Sequence, residues 1–229
     1  MIQAAHAGNR HLQLWEPMAI TDDDVRRIAK ATREISTLTH LGFFRCSFTK
    51  DQIALLCYGL GPSLKHLLLQ YSNVGDNGLF WISQLLKRKE TQLERLFVCD
   101  DVIGDKGIAA LSDALEKNKT LKLLCVTDNM FTNDGLQYML NMLRNNMTLK
   151  TLHFSGQNNS IMDKSLIQQL STLSKYPDIR ADWKRIEGLC GLTINRLSKH
   201  SAFRGIPVEL IRLVKDMLCE KVLVMVGHE

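Results

Sequence analysis

The sequence predicts an α/β fold: a right-handed solenoid in a horseshoe arc, with parallel strands on its concave side and helices on its convex side. Three observations predict it. A motif of about 28 residues recurs along the chain, with copies that begin at Leu38, Leu64, Leu93, Leu121 and Leu149. The first half of each copy alternates apolar and polar residues, as a half-buried strand does. The second half spaces apolar residues three and four apart, as an amphipathic helix does.

The repeat follows a definite consensus. The copy that begins at Leu121 places Leu124, Val126 and Asn129 in the order Leu-x-x-Leu-x-Leu-x-x-Asn, and an amphipathic helix follows. This pattern resembles the ribonuclease-inhibitor class of leucine-rich repeat. The resemblance covers residues 38–173 well and the first 37 residues only in part. It implies stacked repeats that recognise other proteins through the concave surface.

The regularity of the repeat divides the chain into three predicted parts. Residues 1–37 carry a degenerate copy, which we expect to act as an N-terminal capping repeat because an end unit must shield the core from water. Residues 38–176 form the leucine-rich repeats. Residues 177–229 lose the leucine pattern, and from about Trp183 the spacing is helical, with a break at residues 205–207 before a last amphipathic helix that begins at Pro207, so we expect a helical C-terminal cap there.

Helix boundaries are marked by capping residues. Thr49 with Gln52 matches a capping box, and Thr21 precedes an acidic run. Carboxylate or amide side chains recur where each helical half begins, and we interpret them as caps of their own helices rather than as a cation site. They are Asp22, Asp76, Asp105, Asn133 and Asp163. Asn118 and Asn146 should end helices in the left-handed conformation.

Composition limits the class of function. The chain has 45% hydrophobic and 23% charged residues and a net charge of +5, which is typical of a globular protein and too dilute for a dedicated nucleic-acid binder. Its six cysteines contain no Cys-x-x-Cys pair, so the sequence indicates neither a zinc site nor a disulfide framework. No signal peptide or membrane span is apparent. We expect a cytoplasmic monomer without a cofactor, a metal or a nucleic-acid partner.

Strand residues between the inner leucines should face outward on the concave surface. In the first half of the arc these positions carry apolar and aromatic side chains beside histidines and an arginine, a composition typical of a protein-binding hot spot. The predicted partner-binding residues are His40, Phe44, His66, Leu68, Tyr71, Arg95 and Phe97. The alternative is that residues 1–10 or a loop cover them.

Two pairs of side chains that could bind a metal have simpler interpretations. His40 and His66 should lie on adjacent strands roughly 5 Å apart, but no third ligand shares their column, so we interpret them as a surface pair. Cys99 and Cys125 should lie diagonally on neighbouring strands. We interpret them as packing residues, because we find no His or Lys placed to activate a thiolate.

The resemblance implies a non-enzymatic protein-interaction module. A small array with its own helical C-terminal segment is similar to the effector or adaptor members of the class, which indicates an effector that acts in a host cytoplasm after secretion without a cleaved signal peptide. The alternative is a substrate-recognition adaptor of a ubiquitin ligase, because residues 205–211 are similar to the first helix of an F-box. The sequence brings no nucleophile, base and orienting group together, so we predict no enzyme.

Overall fold

The computed structural model describes residues 10–155 and 163–175. The chain divides into two units, Met1–Pro177 and Asp178–Glu229, and the described residues lie in the first. They form six copies of a strand followed by a helix. The elements are β1 (His11–Ala19), α1 (Asp22–Glu34), β2 (His40–Ser47), α2 (Lys50–Gly59), β3 (His66–Gln70), α3 (Gly75–Leu86), β4 (Arg95–Cys99), α4 (Asp105–Lys117), β5 (Leu123–Cys125), α5 (Asn133–Asn145), β6 (Thr151–His153) and α6 (Lys164–Lys175).

The six strands make one sheet in chain order, and every neighbouring pair is parallel. The predicted alternation of parallel strands and helices is therefore confirmed, and the degenerate first copy forms a strand and a helix like the others. The horseshoe curvature stays a prediction. The predicted C-terminal cap and the F-box-like segment lie outside the described residues. Within those residues no helix is long and apolar enough to cross a membrane.

Inner leucines hold the strands together. Leu67, Leu96 and Leu124 pair with one another across β3, β4 and β5, and each is 0% exposed. Burial alternates along β3, so the intervening side chains keep one side toward solvent. Because burying one leucine stabilises a fold by about 2 kcal/mol, and each leucine here needs a neighbouring strand to cover it, the repeats are stable only when stacked.

The predicted capping boxes are present at two helix starts. The side chain of Thr21 accepts from the Asp24 amide while the Asp24 carboxylate accepts from the Thr21 amide. Thr49 and Gln52 exchange the same two hydrogen bonds at the start of α2. Each box satisfies two backbone amides that the first helical turn leaves without a partner.

The recurrent acidic residues cap a different helix from the one predicted. Asp76, in the first turn of α3, accepts hydrogen bonds from the Gly104 and Gly107 amides at 2.7 and 3.0 Å, at the start of α4. Asp105 bonds in the same way to the Gly135 amide of α5 at 2.8 Å. The prediction that each residue caps its own helix is wrong for both, because the carboxylate reaches across to the next copy.

The glycines in these contacts have a steric reason. A Cβ at Gly107 would lie 2.6 Å from the Asp76 carboxylate, and one at Gly135 would lie 2.8 Å from the Asp105 carboxylate. Glycine at these two positions therefore leaves room for the carboxylate of the preceding copy.

Asn118 and Asn146 are extended, with φ of −70° and −87°, so the predicted left-handed conformation is wrong. Both side chains are buried. The Asn118 amide donates to the Leu86 carbonyl at the end of α3, and its oxygen accepts from the Leu121 amide at 2.8 Å. Each asparagine thus joins the end of the preceding copy's helix to the turn that begins the next strand.

A second buried polar column follows the strands at the ninth position of the motif. Asn129 accepts from the Asp101 and Ile103 amides, both at 3.1 Å, and donates to the Val98 carbonyl at 2.8 Å. One copy earlier the column holds Asp101, whose Oδ1 accepts from the Ser72 amide at 2.6 Å. A carboxylate has no N–H to donate, and the Asp101 Oδ2 atom is buried without a hydrogen-bond partner.

Burial raises the pKa of Asp101 from 3.8 to about 7 and outweighs the backbone amides that lower it. Between these two pH values the folded chain holds a proton that the unfolded chain has released. Stability therefore falls as the pH rises from about 4 to about 7. The sequence shows Asp101 where the motif has Asn, but the burial that raises its pKa is a property of the folded structure.

We predict that Asp101→Asn stabilises the protein at pH 8 by on the order of 2 kcal/mol, since an amide keeps the acceptor and adds a donor for the neighbouring carbonyls. Below about pH 4, where Asp101 is protonated in both states, the gain should shrink. Urea unfolding of both chains at the two pH values measures the difference. An equal effect at both values would contradict the buried-acid explanation.

Candidate functional site

The solvent-facing side of the sheet, here called the strand face, carries side chains in parallel rows. The first row is His11, His40, His66, Arg95, Leu123 and Thr151, and the second is Gln13, Gly42, Leu68, Phe97, Cys125 and His153. The third row is Phe44, Gln70 and Cys99, and the exit row, at the carboxyl end of each strand, is Arg45, Tyr71, Asp100 and Asp128. All seven predicted partner-binding residues lie on this face. Their role in binding stays a prediction.

Phe44 and Tyr71 form an aromatic pair where β2 and β3 end. Their ring centroids lie 5.4 Å apart in an edge-to-face arrangement, and the Arg45 guanidinium lies 5.5 Å from the Phe44 centroid and 5.6 Å from the Tyr71 centroid. Tyr71 is 48% exposed. An arginine that contacts two rings restricts all three side chains before any partner arrives.

Arg45 was not predicted as a binding residue, although Tyr71, at the same eighth position of the next copy, was. Strict strand alternation would point this position inward. The backbone breaks that alternation: Arg45, Tyr71, Asp100 and Asp128 all have φ between 53° and 57°. The left-handed conformation is unfavourable for side chains other than Gly, Asn and Asp. Here it turns the exit row outward.

Leu68 and Phe97 are neighbours in the second row and are both half-buried. Gly42 precedes them in the same row, and a Cβ there would lie 3.7 Å from Leu68 and 3.3 Å from the Gln13 side chain. A residue without a side chain therefore stands beside two large apolar ones. The surface of the second row is therefore lower at Gly42 than at Leu68 and Phe97, and these two side chains give a partner apolar area to contact.

The first row begins with a stack of three imidazoles. The ring centroids of His11 and His40 lie 3.8 Å apart, and those of His40 and His66 also lie 3.8 Å apart. The surface pair predicted from the sequence is therefore part of a longer stack. Loss of solvent and the charge of the neighbouring ring lower the pKa of His40. Loss of solvent, His40 and Arg95 lower the pKa of His66 to about 4, so its ring is neutral at physiological pH.

Charge changes sign along the exit row. Arg45 is at one end, and Asp100 and Asp128 continue the row beyond Tyr71. The Asp100 charge and a hydrogen bond to that carboxylate raise the pKa of Tyr71. The phenol is therefore held as a hydrogen-bond donor between a cation and a carboxylate.

Cys99 and Cys125 are in direct contact through their sulfur atoms. Their Sγ atoms lie 3.2 Å apart, and the Cys99 thiol donates to the Cys125 sulfur. The sheet register pairs His153 on β6 with Cys125, so a histidine lies on the neighbouring strand. The described residues contain no group of three or more His, Cys, Asp or Glu side chains that could hold a metal ion.

Comparisons with known proteins bear on the fold. No family model matches the chain, and no curated protein matches its sequence. A solved structure described as Leiomodin-1 Actin-Binding Site 2 matches with 18% identity and a TM-score of 0.54, covering 76% of this chain and 100% of that one. A tropomodulin C-terminal domain from Caenorhabditis elegans matches with 14% identity and a TM-score of 0.56, covering 72% of this chain and 99% of that one.

The chain has a leucine-rich-repeat-like fold. At these identities the likeness establishes the arrangement of parallel strands and helices and leaves the partner open. The predicted boundaries at 37 and 176 and the covering role of residues 1–10 stay predictions, since residues 1–9 and 176–229 lie outside the described part.

We predict that acid destabilises the fold through the first row. Free histidine takes up a proton near pH 6.5 whereas folded His66 resists protonation to about pH 4, so stability falls as the pH drops through this window and is retained above it. His66→Gln should reduce the loss of thermal midpoint between about pH 7 and pH 5, followed by circular dichroism. His153→Gln, an exposed histidine on the same face, is the matched control. Identical pH profiles for the wild type and His66→Gln would refute the prediction.

Proposed function

We propose that the protein is a non-enzymatic interaction module that binds a partner protein through the strand face. The observation that carries the proposal is the cluster of Phe44, Tyr71 and Arg45, a pre-arranged cation and aromatic pair on the exposed side of the sheet. Leu68 and Phe97 extend this surface with apolar area. The likeness to two repeat domains, one of them described as an actin-binding site, supports a protein-binding role.

The composition of the strand face fits what binding hot spots need. Tyrosine and arginine dominate measured hot spots because they bury a large area and also make directed polar contacts. Nothing in the stacking of the repeats requires an aromatic side chain at an outward position. A leucine ladder holds the fold from the inner side, so the strand face can vary to suit a partner.

The helices expose a competing set of aromatic residues. Phe80 and Trp81 on α3 contact each other with centroids 5.4 Å apart, and Tyr58 on α2 lies under the Arg88 guanidinium. Tyr138 on α5 is 45% exposed, close to the 48% of Tyr71. Exposed aromatic area is therefore similar on the strand face and on the helices, and matched variants on the two surfaces distinguish which one binds the partner.

Actin is the first partner to test, because a structurally similar domain carries an actin-binding site in its name. The finer inferences, a ribonuclease-inhibitor type of repeat and an effector acting in a host cytoplasm, rest on the sequence resemblance. Both inferences imply that the partner is a cytoplasmic protein. A protein partner is also what the aromatic and apolar composition of the strand face favours.

We predict that Tyr71→Ala and Phe97→Ala each weaken partner binding by on the order of 2 kcal/mol, or about thirtyfold in Kd. The control Tyr138→Ala removes a side chain of the same type and similar exposure from the helix side and should bind like the wild type. Co-sedimentation with filamentous actin measures the affinity of all four chains, and the thermal midpoint confirms that each is folded.

Variants on the strand face and on the helices are expected to give opposite results in the binding assay. Loss of binding with Tyr138→Ala or Trp81→Ala, but not with Tyr71→Ala, would move the interface to the helices and overturn the strand-face proposal. If the wild type does not bind actin, the same variants are compared against partners captured from cell extract.

A further inference from the structure

Two cysteines of the strand face form a contact that the binding proposal does not use. Cys99 ends β4 and Cys125 ends β5, one copy further along. Their sulfur atoms are 3.2 Å apart, and the Cys99 thiol donates to the Cys125 sulfur. Both are free thiols. A disulfide bond is about 2.05 Å long, so the sulfur atoms must approach by about 1.2 Å. Because Phe97 rather than Cys99 pairs with Cys125, the two cysteines are diagonal neighbours, and forming the bond also requires the ends of β4 and β5 to shift toward each other.

The pair lies on the opposite side of the sheet from the inner leucines, and both residues are buried. Cys125 is 9% exposed and Cys99 4% exposed, so Cys125 is the outer of the two. Around Cys125 stand Thr127, whose Oγ1 is 3.6 Å from the Cys125 sulfur, and His153 in register on β6. Cys125 is therefore the less covered of the two residues, and it has a hydroxyl beside it and a histidine on the neighbouring strand.

We propose that Cys99 and Cys125 are a redox-active dithiol, which a hydroperoxide converts into an intramolecular disulfide that joins β4 to β5. This inference is independent of the partner-binding proposal, since it rests on the geometry of the two thiols. Its consequence is a covalent link between two successive repeats beside Phe97, which pairs with Cys125 in the sheet.

The chemistry balances with the peroxide as the oxidant. The Cys125 thiolate attacks one peroxide oxygen and the O–O bond breaks, which gives the sulfenic acid and, after protonation, water or an alcohol. The Cys99 sulfur then attacks the Cys125 sulfur. The S–O bond breaks, the proton of the Cys99 thiol leaves with the hydroxide as water, and the S–S bond forms. Two thiols lose two electrons in total, and the peroxide gains them.

The environment assigns the roles of the two sulfurs. The hydrogen bond from Cys99 lowers the pKa of Cys125, against the effect of burial, while the same contact and burial raise the pKa of Cys99. The thiolate is the nucleophile in sulfur chemistry. Cys125 is therefore the residue that reacts with peroxide, and Cys99 is the residue that resolves the sulfenic acid.

Cys57 provides a control within the same chain. It is a buried thiol on α2, and burial raises its pKa to about 12. It should stay reduced under conditions that oxidise the pair. Cys190 and Cys219 are replaced by serine in every chain tested, so that the remaining thiols are Cys46, Cys57, Cys99 and Cys125.

The test treats the full-length folded chain with hydrogen peroxide and maps its cysteines by peptide mass spectrometry. We expect a Cys99–Cys125 cross-linked peptide that dithiothreitol reverses, with oxidation at Cys125 at least about tenfold faster than at Cys57. In Cys99→Ser the cross-link should vanish and dimedone should trap a sulfenic acid at Cys125. Cys125→Ser should leave Cys99 reduced.

Three outcomes overturn the proposal. The first is that Cys99 and Cys125 remain free thiols under peroxide concentrations that oxidise Cys57. The second is a cross-link that forms only after the chain is unfolded with urea. The third is that Cys99→Ser yields no sulfenic acid at Cys125 while its thermal midpoint shows that it is folded, because the attacking thiol would then be misassigned.

Discussion

Backbone groups in each repeat are satisfied by side chains from the next or the previous one. Asp76 and Asp105 cap the helices of the next copy, and Asn118 and Asn146 donate to carbonyls at the end of the preceding copy's helix. A buried backbone group without a partner is costly, so a single copy would leave these groups unpaired. Stacking is therefore enforced by polar contacts as well as by the leucines.

Because the contacts between repeats lie on the inner side of the sheet, the residue types on the strand face are not fixed by stacking. The inner leucines and the buried polar columns lie away from solvent and hold successive repeats together. The side chains of the outward rows are not part of these contacts between repeats. Histidines, aromatic residues and cysteines can then occupy neighbouring positions in register. Their chemistry arises because parallel strands bring equivalent positions of successive repeats to about 5 Å.

Two titrating sites act on the fold in opposite directions. Burial raises the pKa of Asp101 and makes the folded state less stable as the pH rises, whereas the stacked imidazoles lower the pKa of His66 and make it less stable as the pH falls. Both effects come from removing a charged form from water. They differ in sign because a carboxylate is charged when it has lost its proton and an imidazolium when it has gained one.

The sequence by itself determined the strand–helix order, the inner leucines and the outward rows, because the periods of two and of three to four residues depend only on local backbone geometry. Only the tertiary structure decided which copy each carboxylate caps, that Arg45 turns outward to meet Phe44 and Tyr71, and that two cysteines come within 3.2 Å. These depend on distances between residues about 28 positions apart and on left-handed backbone at the strand ends, which no local pattern encodes.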